Sequence, residues 1–209
     1  MLARSRLYLF DVFKSGPEAT NRHRGDPMSD TLIHTTRLDL SPLQVEAVDA
    51  LLAGDSDRLR RLTGARFLFP APPPYMAEAL PVVRDRLRER PEETHWWNWL
   101  VVERETGEAV GSVAFGGPVN AEGVVLVGYA IYNEYEGRGY ATEAVKAMVA
   151  WAFTQSGVRE VRVLAPVWNT PALRVAENVG MRPVASEEDD DVGEVLLYAI
   201  TAPAFVGSA

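Results

Sequence analysis

The sequence predicts an α+β (mixed α/β) fold, in which helices flank a central, mostly antiparallel sheet. Three observations carry that reading. Strand-like segments follow one another without an intervening helix between residues 96 and 132, as in an antiparallel meander. The last of them, VVLVGYAIY at 124–132, is apolar throughout and reads as a central strand covered on both faces. It runs through EYEGRGYAT into a helix, after which come one more strand, one more helix and two closing strands.

Taken in order, His34–Leu40 (HTTRLDL) has the composition of a short strand. Ser41-Pro42-Leu43-Gln44 reads as a capping box with proline at the first helical position. Val45, Val48, Leu51 and Leu52 follow on one face, and Gly54 ends that helix. Residues 55–80 give mixed signals, and PAPPPY at 70–75 must be extended or turning. Pro81 opens a helix to Arg90 with Val83 and Leu87 inward. Trp96–Arg104 and Ala109–Phe115 form a hairpin, and the looser turn GGPVNAEG leads to Val124–Tyr132. The next helix reaches about Phe153, with Val145, Met148, Val149 and Ala152 as its buried stripe and Gly157 as its cap. Val158–Val167 is a strand. Thr170 as cap and Pro171 as first residue then start a helix that Gly180 ends. Met181–Ala185 and Glu194–Ile200 close the sheet, joined by SEEDDDVG, whose five adjacent carboxylates repel one another and call for water.

A chain of 209 residues suits one domain, which buries roughly 70% of the surface its unfolded chain exposes. There is no cysteine, which excludes thiol nucleophiles, disulfides and cysteine zinc sites. His23, His34 and His95 lie far apart, so no metal is expected. A net charge of −8 argues against nucleic-acid binding, and no apolar run approaches the ~20 residues that span a bilayer. Residues 1–30 are basic-leaning and punctuated by Gly and Pro, and Asp11 interrupts their apolar patch. They read as a poorly ordered extension rather than a signal peptide, preceding a single domain over 31–209. A cytoplasmic location is the corresponding expectation.

The turn EYEGRGYAT sits where a strand enters a helix. A helix N-terminus presents unpaired N–H groups and a partial positive charge, and glycines let a ligand approach them. Gly137–Thr142 therefore suits a pyrophosphate, with Arg138 adding a charge. The alternative is a tight turn that needs glycine for its dihedrals alone. A P-loop would need GxxxxGK[ST], which is absent, and a dinucleotide fingerprint would need glycine where Thr142 stands.

The segment GYAIYNEYEGRGYATEAV resembles the coenzyme-A signature of the GCN5-related N-acetyltransferases (GNAT), and looks closest to their RimJ/RimL-like branch. That family's pattern Gln/Arg-x-x-Gly-x-Gly/Ala maps to Glu136, Gly139 and Ala141. A second family motif, N-x-x-S-x-R-V-A-E-x-x-G-[FM], resembles NTPALRVAENVGM from Asn169 to Met181. The likeness extends over about residues 32–201. It implies a sheet splayed between the fourth and fifth strands, Val124–Tyr132 and Val158–Val167, with acetyl-CoA as co-substrate in the notch.

On the same resemblance, backbone groups of Ala130, Ile131 and Tyr132 would hold the pantetheine arm. Gly137, Arg138, Gly139, Tyr140, Ala141 and Thr142 would hold the pyrophosphate, while Asn169 would touch the arm and Arg174 a phosphate. The implied reaction is direct attack of a primary amine on the acetyl thioester, with an N–H near Ile131 or Tyr132 for the oxyanion. The acceptor would be a small-molecule amine or a protein N-terminus, and a homodimer is expected by analogy. The chain departs from the family where many relatives carry a catalytic tyrosine, here Ala176, and a serine, here placed at Leu173. Glu136 also replaces the usual Gln or Arg. Candidate catalytic groups are Glu134 as base, Tyr132 as acid or water-holder and Asn169 to orient a water, against readings of a solvated turn and simple packing. Trp96, Trp97 and Trp99 read either as core or as an acceptor pocket, with Trp97 and Trp99 on one face of the strand. A non-catalytic CoA-binding domain is the alternative that the missing tyrosine and serine motivate, and a dinucleotide oxidoreductase is a third reading that the meander disfavours.

Overall fold

A computed structural model describes residues 31–69, 72 and 79–206. The expected N-terminal extension and most of PAPPPY lie outside the described residues. Eight strands form one sheet in the order β1-β2-β3-β4-β5-β6-β8-β7. They are β1 (Ile33–His34), β2 (Leu38–Pro42), β3 (Asn98–Glu103), β4 (Glu108–Phe115), β5 (Val124–Ile131), β6 (Glu160–Pro166), β7 (Arg182–Asp189) and β8 (Gly193–Thr201). All neighbours pair antiparallel except β5 and β6. The fold class is the one the sequence predicts.

Helices cover both faces. Helices α1 (Val45–Ala53), α2 (Ser56–Thr63) and α3 (Leu80–Glu89) enclose one core with Leu43, Trp97, Leu100 and Ala130. Helices α4 (Tyr140–Thr154) and α5 (Thr170–Val179) enclose the other with Leu38, Trp99, Phe115, Val125 and Tyr198. A last short helix, α6, spans Ala202–Val206. The stripe Val145, Met148, Val149 and Ala152 is wholly buried, as the periodicity of α4 requires.

Several local expectations are corrected. The first strand breaks in two because the Thr35 hydroxyl accepts the Leu38 N–H (2.9 Å) in a tight turn. The capping box at Ser41 does not form. Ser41 and Pro42 stay in β2, opposite Leu100 and Trp99, and α1 starts at Val45 without a side-chain cap. Asp55 caps a helix the sequence did not reveal, α2, whose residues SDRLRRLT bury only Leu59. Trp96 belongs to a 3₁₀ turn (Pro91–Trp96), so β3 begins at Asn98 and the alternation starts later. Trp97 and Trp99 accordingly face opposite cores. Gln155, not Gly157, follows the last residue of α4, and Asn169 rather than Thr170 caps α5. The acidic run extends β7 to Asp189 instead of forming a loop, although it stays solvated as its charge demands. Strand β5 is buried at Val125, Val127 and Ala130 but only half-buried elsewhere, because its β6 side loses its neighbour partway along.

Candidate functional site

The pairing of β5 with β6 covers only Val124, Val125 and Leu126, opposite Glu160, Val161 and Arg162. Beyond that, β6 keeps only its pairing with β8, and a notch opens toward the C-terminal ends of β5 and β6. The antiparallel ladder between β4 and β5 decides which main-chain groups face it. Gly116 donates to the Leu126 carbonyl (3.0 Å) and Tyr132 donates to the Val110 carbonyl (3.0 Å). Hydrogen-bonded residues alternate in such a ladder, so even-numbered residues of β5 are committed to β4. The N–H and C=O of Tyr129 and Ile131 point the other way, into the notch. Of the predicted arm-binding residues, Ile131 therefore presents its backbone there, while the backbones of Ala130 and Tyr132 do not.

At the mouth of the notch, a 3₁₀ turn over Asn133–Tyr135 leads through Glu136 to Gly137 and Gly139. Both glycines have left-handed φ angles, +73° and +82°, which other residues adopt only with strain. The first intrahelical donor of α4 is Glu143, whose N–H meets the Gly139 carbonyl at 3.1 Å. The N–H groups of Tyr140, Ala141 and Thr142 precede it and have no acceptor within the helix. The two readings of EYEGRGYAT thus coexist: the glycines serve the turn, and the turn aims a row of donors outward.

This turn is tied to distant parts of the sheet. Glu143 Oε1 accepts the Thr35 hydroxyl (2.6 Å) and the Arg37 N–H (2.8 Å), and its Oε2 accepts Arg37 Nε (2.7 Å). Burial would raise the Glu143 pKa, but these hydrogen bonds from Thr35 and Arg37 outweigh it and hold the carboxyl below its usual range. Arg37 Nη1 also donates to the Arg138 carbonyl (2.9 Å), and its guanidinium lies over the Tyr140 ring. The Tyr140 hydroxyl donates to Glu103, and the Tyr135 hydroxyl donates to Glu108 (2.7 Å). Burial and the Glu108 hydrogen bond push Tyr135 up to about 12. No local pattern marks Thr35, Arg37 or Glu103, since the ties span up to 108 residues. Glu143 was missed as well, although an acid in the first turn of a helix is a readable signal.

The other predicted residues are placed as follows. Glu134 is exposed in the 3₁₀ turn, and its carbonyl accepts Arg138 Nη2 (3.0 Å). The Arg138 guanidinium folds back over the Tyr135 ring. Tyr132 is buried against Phe69, and burial first, then the Glu134 charge, raises its phenol pKa well above the ordinary range. Glu136 is exposed, and its carboxylate is a secondary cause, after burial, of the raised Tyr129 pKa. Asn169 stands just past the end of β6, where its side-chain oxygen accepts the Ala172 N–H (3.3 Å). Arg174 is exposed on α5. Ala176 is wholly buried. Counted from Asn169, the motif's serine position is Ala172 rather than Leu173, and neither carries a hydroxyl. Trp97 and Trp99 are core residues, and Trp96 packs on Phe115 and Trp151.

One further polar group stands out. Asn98 is buried on the α1–α3 side, and its side-chain oxygen has no hydrogen-bond partner. Its row across the sheet, Asn98–Ala114–Gly128, ends at the strand that borders the notch. Among the described residues no cluster of His, Cys, Asp or Glu is arranged for a metal, and no helix is long and apolar enough to cross a membrane.

Comparison with known proteins bears on this site. A family model described as an acetyltransferase (GNAT) domain matches residues 37–182. The uncharacterized N-acetyltransferase YjdG of Bacillus subtilis is 24% identical over 149 residues, covering 71% of this chain and 88% of that protein. The uncharacterized N-acetyltransferase p20 of Bacillus licheniformis is 21% identical over 150 residues, with 72% and 82% covered. Among solved structures, RimL, a ribosomal L7/L12 alpha-N-protein acetyltransferase in complex with coenzyme A, aligns with a TM-score of 0.59 at 15% identity, covering 83% of this chain and 99% of that one. A spermidine N-acetyltransferase SpeG chimera from Vibrio cholerae and hSSAT aligns with a TM-score of 0.60 at 14% identity, covering 82% and 99%. At these identities the structures speak for the fold.

Proposed function

The chain belongs to the GNAT acetyltransferases, and from that membership we propose that it moves an acetyl group from acetyl-CoA to a primary amine within a ternary complex. The observation that carries the proposal is the notch itself. Unpaired main-chain groups of β5 meet unpaired N–H groups of α4 at one opening. An extended pantetheine arm would pair with Tyr129 and Ile131 as an added strand. The pyrophosphate would lie on the N–H groups of Gly137–Thr142, where the helix dipole favours it. Asn169 would meet the arm from the β6 side, and Arg174 a phosphate.

Catalysis in this reading is mainly alignment of amine and thioester, with the Ile131 N–H facing the developing oxyanion. An alkylammonium of pKa near 10 must first lose a proton. Exposed Glu134 at the notch mouth is the base that would accept it through water, and Glu134→Gln should lower turnover about tenfold or more. Unchanged turnover removes Glu134 from that role. The Tyr132 phenol stays protonated across the working pH range, which suits a hydrogen-bond donor rather than a base. We place the chain nearest the RimL-like branch, with a protein N-terminus or a polyamine-like amine as acceptor.

Acetyl-CoA should raise the melting temperature while NAD and ATP leave it unchanged, and no shift at millimolar acetyl-CoA would sink the donor assignment. A second reading, a non-catalytic CoA-binding domain, is favoured by the alanines at the motif's serine and tyrosine positions. Thiol release against a panel of amines separates the two, since turnover with any acceptor ends the binding-only reading.

A further inference from the structure

We infer that Arg37 and Glu143 are a positioning pair that keeps a carboxylate off the helix end where the donor's phosphates bind. The inference rests on the acetyl-CoA reading above. Within residues 134–143, three carboxylates (Glu134, Glu136 and Glu143) stand against the single arginine Arg138. That is a poor charge balance for a segment that must hold an anion. A carboxylate in the first turn of a helix is itself drawn to the free N–H groups there, so Glu143 is a built-in competitor for the site.

The structure removes that competitor. Both Glu143 oxygens are occupied, Oε1 by Thr35 Oγ1 and the Arg37 N–H, and Oε2 by Arg37 Nε and Nη2 (both 2.7 Å). The same guanidinium reaches the next three residues of the turn. Its Nη1 holds the Arg138 carbonyl at 2.9 Å, its Nη2 lies 3.4 Å from where a Gly139 Cβ would stand, and its carbon lies 4.7 Å from the Tyr140 ring centre. One arginine therefore neutralises the misplaced charge and fixes the backbone that presents the donors. A lysine could not do both, because the task uses separate edges of a planar fork.

The two members of the pair have opposite electrostatic signs toward the phosphates, and that yields the test. Steady-state kinetics are measured with acetyl-CoA and with S-acetylpantetheine, which lacks the pyrophosphate. Arg37→Gln leaves Glu143 charged, without its guanidinium partner and held through Oε1 alone, so KM for acetyl-CoA rises about tenfold while kcat stays within about twofold. Glu143→Gln leaves Arg37 as an extra cation beside the turn, so KM for acetyl-CoA falls by about threefold. Adding Glu143→Gln to Arg37→Gln recovers part of the lost affinity. With S-acetylpantetheine all three variants match the wild type in kcat/KM.

A purely structural tie predicts something else, namely the same sign of effect for both single variants and equal losses on both donors. Either result overturns the inference, and so does an unchanged KM in Arg37→Gln. If Arg37→Gln fails to fold, the sign of the Glu143→Gln effect decides alone. Wild-type protein that neither binds nor turns over acetyl-CoA would defeat the donor reading instead, and is distinguishable because it needs no variant.

Discussion

The two walls of the notch are built on different plans. The β5 wall and its turn are tied to remote strands through Thr35, Arg37 and Glu103, with partners 37 to 108 residues apart. The ties at the end of the β6 wall are shorter, 27 residues or fewer. Asn169 caps the helix it precedes, Val167 donates to the Glu194 carbonyl, and the Trp168 indole donates to the Val192 carbonyl 24 residues on. The molecule thus places its long-range ties on the wall that presents main-chain donors. On the proposed reading the turn is a phosphate cradle of main-chain N–H groups with no side chains to adjust, so the backbone itself must be fixed from outside. The opposite wall needs only a helix start in the right place, which local capping supplies.

The largest effect that can break this comparison falls on Ile131. Its N–H faces the notch, whereas that of Tyr132 is used by Val110. Ile131→Pro removes a notch-facing donor and no ladder bond, and should cost about 10²-fold in kcat or more with folding retained, as measured by turnover alongside circular dichroism. Tyr132→Pro breaks the ladder and should lower stability instead. If the two prolines behave alike, the alternation does not govern the site.

Glu143 comes next. Glu143→Gln loses charge-assisted hydrogen bonds on a half-buried carboxyl and should destabilise the fold by about 1–2 kcal/mol near neutral pH. The folded pKa is depressed, so this contribution is complete above the ordinary carboxylate pKa of about 4.3 and disappears as pH falls through the lower folded value. Stabilities of wild type and variant should converge as the pH falls below the ordinary carboxylate range. A constant gap across that range would mean the carboxyl is not held charged by Arg37.

The comparison also explains what could be read in advance. The element order was legible because apolar periodicity reports which side of an element is buried, and α4 shows this most clearly with Val145, Met148, Val149 and Ala152. The glycine turn was legible because a positive φ leaves few residues to choose from. The local wall was nearly legible. Thr170 read as the cap of the helix in NTPALRVAENVGM, and Asn169, one position earlier, takes that place. Helix α2 was hidden because a helix that buries only Leu59 has no apolar stripe to detect. Trp97 was assigned to the wrong face because the 3₁₀ turn shifted where alternation begins. The ties of the β5 wall left no trace at all, since no local pattern links Arg37 to a glutamate 106 residues away.

The smallest effect concerns Asn169, where one side chain is asked to do two jobs. Its oxygen caps α5 through the Ala172 N–H, and on the proposed reading its amide group serves the pantetheine arm. Asn169→Ala removes both, costing about 1 kcal/mol, or a fall of about 2–4 °C in Tm. Asn169→Asp keeps a capping oxygen at the positive end of the helix, so it should restore the melting temperature. It has no N–H to give the arm, however, so KM for acetyl-CoA should stay about threefold or more above wild type. Recovery of both quantities in the Asp variant would make Asn169 a cap and nothing else. The β6 wall would then contribute shape to the notch and no hydrogen bond, leaving the whole recognition of the donor's arm to β5.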